Sequence, residues 1–539
     1  MVEPMASHRF LAAGAGVLAG LAGLAAGSAT ATFTGGPTPV IAVGNAVVAR
    51  TPGFLKDFAV RQFGENDKAV LLGGMAVVLV ALAAVAGWIG LTRPRVAVGL
   101  VVALGVLAAL ATAVDTTTSA PIAVALLAPL VTTVVGVAAL LQLLRPLQAG
   151  ATQPVERRPG DAAPLERRPG DADPLGRRPG DDLPSGFDRR RFLTAVLGTA
   201  AVAAVGAGIT RTLGTSGAAV SRAGVKIPAP ASAAPALPAG VDPLEGISSY
   251  LTPNRDFYRV DTALLVPDVP ADTWRLRIHG DVDQELELDF AELLDERLIE
   301  RRITLTCVSN EVGGPYAGNA TWIGVPLADL LRRAGVREGA DALKCTSADG
   351  MVIGTPLEVV LDGRDAMIAI AMNGEPLPLD HGFPARMVVP GLYGYVSATK
   401  WLVDIEVTRF ADFTAYWTER GWAEQAPIKL ASRIDVPRSF ESLAADAVRV
   451  GGVAWAQHTG VDSVEVRVDD GPWERARLVP QDGIDTWRQW TWQWDDASPG
   501  DHELTVRATD AEGNTQTSDR EPPRPDGSTG WHSVRFSVK

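Results

Sequence analysis

The sequence predicts a multi-domain chain: apolar transmembrane helices first, then an α+β domain, then an all-β domain. Three observations predict it. Four long apolar runs follow one another within the first 146 residues. From about residue 242, short strand-like and helix-like segments mix without steady βαβ alternation. Beyond about residue 425, apolar and polar residues alternate between turn signals.

The chain has 539 residues, 47% hydrophobic and 21% charged, with a formal net charge of −13. That length exceeds one ordinary domain. A mean hydropathy of +0.13 beside so much charge points to two populations of sequence, one membrane-embedded and one water-soluble. The acidic balance argues against a nucleic-acid binder, which carries a basic footprint. The two cysteines, Cys307 and Cys345, could in principle pair. Neither CxxC nor a His/Cys cluster is present to suit structural zinc.

Residues 1–146 read as a four-helix transmembrane region. Phe10 to Ala31 is uncharged and, at roughly 20 residues, long enough to span a bilayer. Similar runs cover 69–91, 96–114 and 121–144, separated by Thr92-Arg93-Pro94-Arg95 and Asp115-Thr116-Thr117-Thr118. No alternating polar face interrupts them, which favours membrane spans over buried core helices. Arg9, Arg93, Arg95 and Arg145 alternate as the positive-inside rule asks, placing the N-terminus inside. The intervening loop, about 32–68, also carries Arg50, Lys56, Arg61 and Lys68, offset by Asp57, Glu65 and Asp67.

Residues 147–186 form a linker holding three copies of one motif, Glu156–Asp161, Glu166–Asp171 and Gly176–Asp181. Rich in Arg, Pro, Gly and Asp, they cannot bury a core and read as a disordered tether. Their arginine excess suits the cytoplasmic side and contact with anionic lipid. Residues 187–211 then read as a fifth transmembrane helix. Its start, Asp188-Arg189-Arg190-Arg191-Phe192-Leu193, resembles a twin-arginine export signal displaced to mid-chain. Ordinary positive-inside flanking is the alternative, and either reading puts everything after Arg211 outside. Residues 212–241 are an Ala/Pro-rich external linker.

The α+β domain is expected over 242–424, with strands at Trp274–Ile278, 351–354, 366–371 and 402–407 and helices at Phe290–Leu294 and Pro326–Leu331. At its centre is Arg301–Gly314. The β-prone run Ile303–Thr306 delivers Cys307 to a loop ending in Gly313-Gly314, where the backbone can turn sharply or approach a ligand. A thiolate there suits soft-metal ligation or nucleophilic attack. The plain alternative is a buried cysteine packing as a small hydrophobe. Residues 425–539 read as a β-sandwich: Val448–Trp455, Val464–Asp469 and Leu504–Ala508 alternate, as do Trp490, Trp492 and Trp494. Trp455, Trp473, Trp487, Trp490 and Trp531 could form a carbohydrate platform, but alternating tryptophans on strands more often pack a core and an interface.

From Leu251 onward the chain resembles the sulfite oxidase family. The resemblance rests on Asn254–Arg259, the Cys307 loop with Thr321–Leu327, Asn373–Pro378, and His381–Gly391 leading through Gly394 and Ser397 to Lys400-Trp401-Leu402. It implies a molybdopterin-binding α+β domain followed by an immunoglobulin-like domain, with one pterin per Mo. Cys307 matches the family's Mo ligand. Tyr258, Arg259, Ser347, Asp349, His381, Arg386, Ser397, Ala398, Thr399 and Lys400 match positions that contact the cofactor. Arg386 and Lys400 can neutralise its phosphate, and backbone N–H groups at 397–399 can cradle it. A plainer role for His381 is a loop histidine bonding a carbonyl, and for Lys400 a solvated strand-edge charge.

The chain also departs from sulfite-oxidising members. They place arginine shortly after the loop asparagine, where Asn310 is here followed by Glu311 and Val312, and tyrosine where this chain has Ile370. Loss of a cation disfavours simple sulfite, leaving Arg259 as one positive group, so a neutral or larger substrate, or sulfoxide or N-oxide reduction, fits equally. No CxxCH occurs, and His8 is the lone histidine of the apolar region, so no haem is expected. Electrons then need a separate cytochrome or quinone-linked partner. The resulting picture is a multi-pass plasma-membrane oxidoreductase with an extracytoplasmic catalytic domain, able to dimerise through its last domain. The competing readings are a cofactor-free surface binding or assembly module and, less well supported, a transporter with an appended domain.

Overall fold

A computed structural model describes residues 3–52, 55, 58, 62–63, 67–115, 121–151, 189–213, 217–444, 448–495 and 497–539. The repeats at 156–181, Asp188 and Thr116–Thr118 lie outside the described residues. The chain divides into two compact units, Met1–Thr215 and Ser216–Lys539.

Among the described residues of the first unit, five segments are long and apolar enough to cross a membrane: His8–Thr34, Lys68–Gly90, Pro94–Ala113, Ile122–Gln148 and Arg190–Gly208. Small residues set their packing. Gly16 and Gly87 leave no room for a Cβ against Ala83, Ala12 and each other, so those two helices meet backbone to backbone. The stretch read as a loop at 32–68 contains a further helix, Pro39–Arg50. Its start signal is local: Thr38 Oγ1 accepts the Ile41 N–H at 3.4 Å and Pro39 opens the first turn.

The described residues of the second unit form four sheets. One has the order β2-β1-β10-β5-β6, from Leu286–Asp289, Arg275–Gly280, Leu402–Thr408, Ala342–Ser347 and Val352–Pro356. Another has the order β3-β4-β7-β8, from Ile299–Thr306, Ala317–Pro326, Met367–Met372 and Glu375–Pro376, with β9 (Arg386–Val388) paired to β7. Only the β1–β10 pairing within these two sheets is parallel, which rules out a doubly wound arrangement. Helix Phe290–Asp295 starts at a capping box, Asp289 with Glu292. Helix Leu327–Ala334 stops at Gly335, whose φ of +70° closes its C-terminus.

Two further sheets make the C-terminal all-β region. Their orders are β11-β13-β17-β16 (Ala431–Val436, Val448–Trp455, Arg488–Trp494, Arg477–Leu478) and β12-β19-β18-β14-β15 (Ser442–Leu443, His532–Val538, Gly500–Asp510, Val461–Val468, Glu474–Arg475). Val450 and Trp490 of one sheet share a core with Val464, Val466, Leu504, Val506 and Phe536 of the other. Trp455 and Trp487 instead join the α+β core. Trp473 and Trp531 pack in neither: their rings meet edge-on at 5.0 Å, beneath Arg467 and Arg507.

One topological fact positions the site. β3 is an edge strand, and an edge must be covered. Its free side receives Glu300 N–H to Ser232 O at 2.8 Å and Thr304 N–H to Asp485 O at 2.9 Å.

Candidate functional site

Cys307 follows the last residue of β3, and its loop is closed by short-range hydrogen bonds. The Cys307 N–H donates to Tyr316 O (3.0 Å), Asn310 N–H to Cys307 O (3.1 Å) and Gly314 N–H to Glu311 O (2.8 Å). Asn310 Oδ1 accepts the Tyr316 N–H at 2.8 Å. Gly313 has φ +80°, as the sharp turn read from the sequence requires, and the His532 ring occupies the space a Cβ would need. The thiol is buried, 2.9 Å from Ser309 Oγ; burial raises its pKa, and Ser309 partly offsets this. Cys345, on β5, is free and wholly buried, its thiol pushed up to about 12 by burial. It has the plain packing role.

Cys307 opens onto a cavity whose walls also carry Tyr258, Ser347, Asp349, His381, Arg386, Ala398, Thr399 and Lys400. Segments more than 140 residues apart in sequence (Tyr258 to Lys400) thus converge on one space. Arg259 and Ser397 are not on its lining. Arg259 bonds Asp261 at 2.8 Å. The Ser397 hydroxyl donates to Leu392 O and Tyr393 O, and the Ala398 N–H donates to Gly394 O. Of the backbone N–H groups expected to form a cradle, that of Ala398 is thus engaged within its own turn.

Arg386 is the distinctive group. The residue is 5% exposed, and its guanidinium bonds two carbonyls, His381 O (3.1 Å) and Ala398 O (3.4 Å), while lying 5.1 Å from the Trp322 ring. Its Nε–H has no acceptor, and among the described residues no carboxylate pairs with it. Burial lowers its pKa to about 10, which leaves it charged. Thr399 is buried on the same cavity, and its hydroxyl has no oxygen or nitrogen partner among the described residues, only the weakly bonding Cys345 thiol nearby. A buried cation without an anion, on a cavity it shares with the Thr399 hydroxyl, is what an anionic guest would complete.

His381 does bond a carbonyl: Nε2–H points to Asn254 O at 3.1 Å, so the neutral ring keeps Nδ1 as an acceptor. Burial, then the neighbouring Arg386 charge, pushes its pKa down to about 4. Lys400 is not a solvated strand-edge charge. Its Nζ lies 2.6 Å from Asp261 Oδ2, and burial brings its pKa down to about 8. Ser347 and Asp349 form the turn between β5 and β6, where Asp349 Oδ1 accepts the Met351 N–H at 3.1 Å. Burial raises the Tyr258 hydroxyl well above its ordinary range, so it stays protonated.

Sequence reasoning missed Asp261, the buried acid joining Arg259 to Lys400. It also missed a wall of Tyr395, Trp417 and Trp422. Asp261 was discoverable only as an acid two residues beyond Arg259, since nothing local shows a pairing across 139 residues. Glu311 is exposed and outside the cavity, and Ile370 is core, so neither presents a charge to it.

Residues 263–417 match a family model described as an oxidoreductase molybdopterin binding domain. The mitochondrial sulfite oxidase of Homo sapiens is 30% identical over 344 residues, 54% of this chain and 62% of that one. The chain thus spans less than two thirds of that relative's length. Uncharacterized oxidoreductase YuiH of Bacillus subtilis (strain 168) is 32% identical over 179 residues, 32% of this chain and 87% of that protein. Among solved structures, the sulfane dehydrogenase SoxCD from Paracoccus pantotrophus aligns with TM-score 0.47 and 22% identity, covering 56% of this chain and 86% of that one.

Proposed function

Because the chain belongs to the sulfite oxidase family of molybdopterin-dependent oxidoreductases, we propose that Cys307 ligates the molybdenum and Arg386 receives the pterin phosphate. The observation that carries this is the buried, acid-free guanidinium of Arg386 on the cavity that Cys307 opens into. When bound, the group supplies two-electron oxygen-atom transfer.

The protein's part is placement and charge. Arg386 offers an unused Nε–H to an oxyanion, and Thr399 brings a hydroxyl to the same cavity. His381, oriented by Asn254 O, presents Nδ1 as an acceptor suited to a ring N–H of the pterin. Tyr258, Ser347 and Asp349 line the same space. Lys400 and Arg259 are both tied to Asp261, so neither is a loose cation for a small anion. With Tyr395, Trp417 and Trp422 on the wall, this favours a neutral or larger substrate over simple sulfite, including reduction of a sulfoxide or N-oxide.

In this reading 1–146 and 187–211 anchor the chain in the plasma membrane, the latter with its twin-arginine-like start. Residues 242–424 and an immunoglobulin-like 425–539 lie on the extracytoplasmic side. The five apolar segments support the anchor. Electrons pass to or from a separate cytochrome or quinone-linked protein without a haem of this chain's own, and the last domain offers a surface for homodimerisation. Replacing Cys307 with Ser exchanges a soft ligand for a hard one. Turnover should be almost wholly lost with circular dichroism unchanged. Substantial turnover by that variant would refute the assignment, and metal analysis finding no molybdenum after cofactor-competent expression would favour a binding module instead.

A further inference from the structure

The Cys307 loop is gripped on both flanks by the C-terminal all-β region. Before the cysteine, Gln457 Nε2 donates to Thr304 O (3.3 Å) and to Thr306 Oγ1 (3.2 Å), the residue adjoining Cys307. Thr304 Oγ1 accepts the Trp487 N–H at 2.7 Å, and Thr304 N–H reaches Asp485 O. Arg302 pairs with Asp482 through a buried ion pair. After the cysteine, Ser528 Oγ donates to Asn310 O (2.7 Å) and Arg433 donates to Gly314 O (2.8 Å). Between these, the His532 ring is pressed against Gly313. The Gln457 and Trp487 bonds are buried and do not compete with water, while those of Ser528 and Arg433 are half-buried.

We propose that the C-terminal region is a positioning element for the Cys307 thiol, with Gln457 and Ser528 as its two positioning residues. This rests on the Cys307 reading given above. β3 is an edge strand, so its end and the loop beyond it lack a second strand to fix them. Gln457 fixes the approach to the cysteine and Ser528 fixes the exit. A thiol held from both sides presents one geometry to the metal, which its redox step needs. The region thereby contributes to the site without lending it a ligand.

The test uses the full chain, with Gln457→Met, Ser528→Ala and their double variant, Ser528→Thr as the hydroxyl-keeping control, and exposed Arg475→Ala as a distant control. In cofactor-free protein, hydrogen exchange of the Cys307 and Asn310 amides should rise about tenfold or more in the first three variants. Amides of β13 and β17 should be unmoved, and both controls should match wild type. In loaded protein, the Mo(V) electron paramagnetic resonance signal should shift while molybdenum content holds. Exchange at 307 and 310 within about twofold of wild type would overturn the proposal. So would an increase spread evenly over the all-β region, since that marks general destabilisation. Because exchange is read without cofactor, it decides the proposal even if Cys307 proves not to be the ligand, an error that metal analysis of Cys307→Ser would expose separately.

Discussion

Arg386 and Lys400 are two largely desolvated cations on one cavity, and they differ in what balances them. Lys400 has Asp261 at 2.6 Å, an acid it shares with Arg259. Arg386 has two carbonyls, an aromatic face and an Nε–H with nothing to bond. Desolvation lowers the pKa of both, and for Lys400 the Asp261 carboxylate offsets part of that cost within the protein, whereas no carboxylate does so for Arg386. The difference separates a cation built into the wall from one that an incoming anion must complete. Position along the sequence gives no hint of this, since both lie in the same motif run, His381 to Lys400.

The largest expected effect breaks the comparison on the Arg386 side. Arg386→Met should purify with little or no molybdenum, because the phosphate loses a charge-assisted donor. Its cofactor-free stability should stay level or rise by up to about 2 kcal/mol, as an uncompensated buried charge is removed. Urea unfolding and metal analysis on the same preparations check the two signs. A variant that keeps its molybdenum would remove Arg386 from the phosphate site. Lys400→Met should behave oppositely in cofactor-free protein. It leaves Asp261 paired with Arg259 and should lower stability by about 1.5 kcal/mol, the low end for one hydrogen bond to a charged group. Equal stability of Lys400→Met and wild type would show that the Asp261 contact contributes nothing.

Much of this was readable from residue order, and the exceptions share a cause. Strand-to-loop delivery of Cys307, the glycine turn, the apolar spans and the alternating C-terminal strands all depend on periodicity or local backbone chemistry. The helix Pro39–Arg50 was locally signalled too, by Thr38-Pro39, but sits in a stretch dominated by loop-like charge. Asp261, the Gln457 and Ser528 bonds and the Tyr395–Trp422 wall were not legible, because each exists only through tertiary closure. The surface pair Trp473–Trp531 shows the same limit: composition gives tryptophan, while packing decides whether it is core.

The smallest expected effect reads the contrast through His381. Burial is the main cause of its lowered pKa, and the positive charge of Arg386 is the next, ahead of that of Lys400. An unfolded histidine takes its proton near 6.5 and the folded one only near 4. The neutral ring therefore adds stability above pH 6.5 that is lost as pH falls from 6.5 through 4, on the order of 2 kcal/mol by pH 4.5. His381→Gln should flatten the acid limb of the cofactor-free stability curve by that amount, with His532, also lowered to about 4, accounting for a similar remaining loss. Removing the Arg386 charge should raise the His381 pKa, and removing Lys400 should raise it less, because Asp261 already offsets that charge. Nuclear magnetic resonance titration of the His381 ring in Arg386→Met and Lys400→Met measures both shifts. A larger rise in Lys400→Met would mean that Arg386 is already balanced by an anion and that the two cations do not differ in the way described.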